Sequence, residues 1–111
     1  MTVHTTYGTA AHNAGALARL IAGRLGVVFA EHDSYYRGAY LRAETSSGVI
    51  EIQPNAIPGD DGEDDLYEAR YPEIPTLLLV AAEQPGTAVH AALESVGDLR
   101  KLAEEPVPGD R

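Results

Sequence analysis

At 111 residues the chain is the size of one domain, long enough to bury an ordinary core and too short to add a large enclosed cavity with its own lid. It contains no cysteine, which excludes disulfides, thiolate nucleophiles and cysteine-ligated zinc or iron–sulfur sites. A net charge of −9 with only 8 Lys and Arg argues against nucleic acid as a partner, because phosphate-backbone binding needs clustered basic side chains.

Thr2 to Gly8 shows no usable period and reads as a short extended arm. Thr9 has the chemistry of a helix N-cap, and Ala10, Ala14, Leu17, Ile21 and Leu25 recur at helical spacing. The spacing predicts a helix over 9–25, stopped by a left-handed Gly26. Val27 to Ala30 then reads as a strand, and His32-Asp33-Ser34 as a turn. Tyr35 to Glu44 alternates, with Tyr36, Gly38, Tyr40 and Arg42 on one face and Arg37, Ala39, Leu41 and Ala43 on the other. Thr45 to Gly48 is hairpin chemistry, and Val49 to Gln53 returns with Ile50 and Ile52 opposite Glu51 and Gln53.

Residues 54–75 break the pattern. They hold four of the seven prolines, the acids Asp60, Asp61, Glu63, Asp64, Asp65 and Glu68, and the tyrosines Tyr67 and Tyr71. This reads as a long acidic loop with at most one helical turn at 64–69, and loops of this length in small domains are functional more often than incidental. Thr76 to Ala81 is continuously apolar, as suits a central strand covered on both faces. Val89, Ala92, Leu93 and Val96 define a helix over 85–95 starting at Pro85, and Leu99 and Leu102 suit a last short strand. Residues 104–111, with two prolines, read as a flexible C-terminal tail beyond a single domain of residues 1–103.

The expected fold is therefore α+β, with two helices packed on one face of a four- or five-stranded mixed, mainly antiparallel sheet. Met1 to Tyr7 carries no basic segment, and Arg19 and Arg24 interrupt the first apolar stretch. The expectation is no leader, no membrane span and a cytoplasmic location.

Chemistry-bearing residues are sparse. His4, His12, His32 and His90 form no metal-spaced pair, and no glycine-rich phosphate loop is present. The glycine and glutamate spacing required of an EF-hand is also missing from the acidic run, so neither a metal nor another cofactor is expected. His32 beside Asp33 offers the ingredients of acid–base chemistry, although successive strand residues point to opposite faces. Tyr35 and Arg37 join Tyr67 and Tyr71 as residue types enriched at protein interfaces.

The reading that follows is a non-catalytic acidic module docking on a protein with a basic surface, through Asp60, Asp61, Glu63, Asp64, Asp65, Tyr67, Tyr71, Tyr35 and Arg37. Its size, charge and missing motifs resemble, in profile only, the inhibitor and immunity proteins of bacterial toxins. Two alternatives stand beside it. One is a small enzyme or ligand-binding domain with a groove near His32, Asp33 and Tyr36, and the other is a structural subunit of a homo-oligomer such as a homodimer.

Overall fold

The computed structural model describes residues 3–34, 38–45, 48–58, 64–82 and 88–106. In chain order these form strand β1 (Val3–Thr9), helix α1 (Ala14–Leu25), strands β2 (Ala30–Ser34), β3 (Gly38–Glu44), β4 (Gly48–Pro54), β5 (Ala56–Pro58), β6 (Asp64–Leu66) and β7 (Thr76–Ala82), helix α2 (Ala88–Glu94) and strand β8 (Arg100–Pro106). The class is α+β. The six-stranded sheet runs β2-β3-β4-β7-β1-β8, and β5 pairs with β6 in a separate hairpin.

The apolar run of β7 takes the inner place its sequence requires, between β4 and β1. Leu78 and Val80 face the helices and Leu77 the opposite side, and all three are buried. On β4, Ile50 and Ile52 alternate with Val49, Glu51 and Gln53, so the isoleucines meet Leu17 and Ile21 of α1. Each of these side chains contributes roughly 1.5–3 kcal/mol by leaving water. Leu93 and Val96 extend the same core from α2 and the turn after it.

Several sequence expectations are corrected. The expected arm is strand β1, paired along its length with β7 on one side and β8 on the other. Its helix-facing positions are Val3, Thr5 and Tyr7, all buried. Two threonines among the buried positions of β1 hid the alternation, and Thr5 stays satisfied through its hydroxyl, 3.2 Å from Nε2 of the buried His90. With β1 in the interior the sheet has six strands, and each ladder among the described residues is antiparallel rather than mixed.

Helix α1 begins five residues later than the spacing predicted. Asn13 is its N-cap, with Oδ1 accepting from Ala16 N at 2.8 Å. Thr9 ends β1, and its hydroxyl accepts instead from Ala11 N at 3.0 Å, capping the turn between the two elements. Gly26 closes α1 as expected, at φ 68, a conformation that Cβ disfavours. The strand expected at Val27 to Ala30 starts at Ala30 instead, and His32-Asp33-Ser34 lies within β2 rather than in a turn. The register of β2 against β3 pairs His32 with Tyr40, whose rings stack across the two strands.

The stretch 54–75 is not structureless, since it contains the β5–β6 hairpin, and Asp64 to Leu66 is strand rather than helical turn. At the other end, β8 continues through Glu104 and Glu105 to Pro106, past the point where a tail was expected, because β1 offers a free ladder.

Candidate functional site

The two faces of the sheet differ. One is sealed by α1 and α2. On the other, register aligns three rows of side chains across β1, β7 and β4: His4, Ala81 and Val49; Thr6, Leu79 and Glu51; Gly8, Leu77 and Gln53. Segment 67–75 covers only the third row. Ile74 packs there so closely that a Cβ on Gly8 would stand 2.5 Å from Ile74 Cγ2. The first two rows stay open as the floor of a groove of about 380 Å³.

Asn55 holds the covering segment in place. It is buried between β4 and β5, and its carboxamide Nδ2 donates to the carbonyls of Glu68, Tyr71 and Ile74 at 3.3, 3.1 and 2.9 Å. Its Oδ1 accepts from Glu68 N at 2.8 Å. The Asn55 backbone adds a bond from its N–H to Pro75 O and another from Tyr67 N–H to its carbonyl, both 2.8 Å. One side chain therefore satisfies backbone groups of a segment that no ladder reaches. Tyr71 supplies the second anchor, its hydroxyl donating to Leu102 O of β8 at 3.1 Å while the Arg100 guanidinium lies 5.7 Å from its ring centroid.

The groove has charged walls over an apolar floor. On one side, Arg42 of β3 donates to Glu51 of β4 at 3.0 Å and lies 3.8 Å from Glu44. On the other, the Arg70 guanidinium grips Glu68 through Nε at 2.8 Å and Nη2 at 2.7 Å, and reaches Glu105 of β8 at 4.0 Å. The hydrogen bonds from Arg70 hold the Glu68 carboxyl below its ordinary range, against the opposing effect of burial. The same contact raises the Arg70 guanidinium further above its ordinary value. Val49, Leu79 and Ala81 form the half-buried apolar floor, and Tyr67 stands exposed at the mouth.

Of the residues singled out from sequence, Asp64 and Asp65 lie on β6 of the hairpin, with Leu66 and Tyr67 exposed at its base. Tyr67 lines the groove and Tyr71 is spent on anchoring. Tyr35, Tyr36, Arg37, Asp60, Asp61 and Glu63 lie outside the described residues. His32 stacks on Tyr40 with centroids 5.5 Å apart, at the edge strand, and neither His32 nor Asp33 lines the groove. Among the described residues no three His, Asp or Glu side chains cluster as a metal set would, and no helix is long and apolar enough to cross a membrane.

Sequence reasoning passed over Asn55 and Arg70, and named Glu51 and His4 without giving them a part in a site. Glu51 was legible as the polar partner in an alternating strand. Asn55 had one signal, an amide between Pro54 and an apolar pair at the start of a supposed loop. No protein-family model matches this chain, and no curated protein matches it either.

Proposed function

We propose that the chain is a non-catalytic acidic module that docks on, and thereby inhibits or regulates, a protein with a basic surface. The observation that carries this reading is the hold of buried Asn55 on the segment that directly follows the acidic run, through Glu68, Tyr71 and Ile74. A surface that served only solubility would need no buried anchor beside it, whereas a docking surface gains from having the flanking segment 67–75 in place before the partner arrives. The exposed Leu66 and Tyr67 at the base of the hairpin add apolar and aromatic surface beside the charge, the combination that gives interfaces an anchor within a polar rim. The overall charge of −9 favours the encounter with a basic surface.

The test uses nona-arginine as the basic probe and measures association rate against salt. One variant carries Asn at Asp60, Asp61, Asp64 and Asp65. A control neutralises four acids elsewhere: Glu31, Asp33, Glu94 and Asp98. The hairpin variant is expected to associate roughly tenfold more slowly at low salt and with a flatter salt dependence, the control much less so. Equal slowing in both variants would reduce the effect to net charge and refute a dedicated docking arm.

A further inference from the structure

Beyond the hairpin itself, the groove beside it has a composition that selects one kind of occupant. Resting on the docking function proposed above, we infer that this groove seats an arginine side chain of the basic partner, with the alkyl stem on the sheet and the guanidinium at the Glu105 wall.

Shape gives the first argument. The cavity of about 380 Å³ is open at the mouth and floored by Val49, Leu79 and Ala81, an apolar strip along which the methylene stem of an arginine can lie while its charged head stays at the rim. Segment 67–75, held by Asn55 and Tyr71, forms the wall in advance, so no loop has to be ordered when the site fills.

Charge gives the second. Three carboxylates, Glu51, Glu68 and Glu105, face two guanidinium groups, Arg42 and Arg70. Both arginines are already engaged at close range, Arg42 by Glu51 at 3.0 Å and Arg70 by Glu68 at 2.7 Å. Glu105 stands 4.0 Å from Arg70, beyond hydrogen-bond distance, with its side chain 65% exposed. Each arginine is already largely neutralised by its carboxylate, Arg70 bidentately, whereas an incoming cation meets a loosely held carboxylate at Glu105.

Tyr67 gives the third. Its ring is exposed at the mouth, and a guanidinium is planar, weakly hydrated and stacks on aromatic faces better than the ammonium of lysine. Tyr67 also follows β6 directly, so a partner engaged by the hairpin carries its basic side chains within reach of the groove.

The experiment titrates the full chain with n-butylguanidinium, a detached arginine head and stem, and with butyrate as the anionic match, following backbone amides by NMR. Butylguanidinium is expected to shift Val49, Leu79 and Ala81 saturably, butyrate to leave them in place, and Glu105→Gln to weaken the shift roughly threefold. The inference fails if butyrate moves the same amides as strongly, or if butylguanidinium moves only Asp64 and Asp65. Nona-arginine separates this inference from the docking arm. Salt-sensitive binding that leaves Leu79 and Ala81 unmoved would sink the groove and leave the hairpin standing. Seating of butylguanidinium without any hairpin dependence of nona-arginine association would sink the hairpin reading alone.

Discussion

The side chain of Asn55 bonds both backbone polar atoms of Glu68, accepting from its N–H at 2.8 Å and donating to its carbonyl at 3.3 Å. In this it replaces the ladder partner that Glu68 lacks. Asn55→Ala is expected to destabilise the domain by roughly 2–4 kcal/mol, because several part-buried backbone groups lose their partner at once. Asn55→Asp keeps the acceptor and loses the donors, and should cost a similar amount at neutral pH. Chemical denaturation measures the loss. Hydrogen exchange should show it concentrated at Glu68, Tyr71 and Ile74, and uniform exchange across the sheet would refute the anchoring role.

Gly8 and Ile74 set the height of the covering segment. A Cβ at Gly8 would lie 2.5 Å from Ile74 Cγ2 and 2.8 Å from Leu102 Cδ1. Gly8→Ala should therefore destabilise by roughly 1–3 kcal/mol through overpacking. Combining it with Ile74→Ala should recover part of that loss, since the two changes act on one contact. A double-mutant cycle with additive costs would show that the crowding is relieved elsewhere.

Leu78 lies at the centre of the sheet, fully buried under both helices. Leu78→Ala is expected to cost roughly 2–5 kcal/mol on chemical denaturation. A loss below about 1 kcal/mol would mean that the site collapses freely around the smaller side chain.

Tyr7 is buried beside His90, with ring centroids 6.5 Å apart, and its hydroxyl has no hydrogen-bond partner among the described residues. Burial, together with the charges of Glu94 and Glu104, pushes its phenol up to about 12. The folded state thus holds this proton more tightly than the unfolded chain, whose phenol titrates near 10. The resulting stability is complete below about pH 10 and is lost as pH rises from there toward 12. Tyr7→Phe should remove this alkaline loss. At neutral pH it should leave stability unchanged or raise it by up to about 1 kcal/mol, since an unpartnered hydroxyl is removed. Destabilisation beyond about 1 kcal/mol at neutral pH would reveal a partner for that hydroxyl.

Glu68 gives the acid-side counterpart. Hydrogen bonds from Arg70 hold its carboxyl below the ordinary range. Its contribution to stability is therefore present above the unfolded carboxylate value, about 4.3, and is lost as pH falls through the folded one. Melting temperatures of Glu68→Gln followed from pH 7 to 3 should show a shallower acid decline than those of the parent chain. Parallel curves for the two proteins would remove Glu68 from the account.

Local sequence determined a good deal of this protein by itself. The apolar run at β7, the alternation of Ile50 and Ile52 against Glu51, the glycine stop at Gly26 and the helical spacing of Leu17 and Ile21 each follow from one period or one backbone preference. They suffice for an α+β class, an inner strand and helices on one face. Only tertiary structure decided that Thr5 is an interior residue, because its burial depends on His90, which lies 85 positions away along the chain. The same holds for β8, which extends through two glutamates once β1 supplies a ladder. The groove is the clearest case. Glu51, Leu79 and Thr6 come from three strands, and only the register of those ladders puts them in one row. A single side-chain amide closes the wall above them, and no periodicity encodes a hydrogen bond between residues 13 positions apart in an irregular segment.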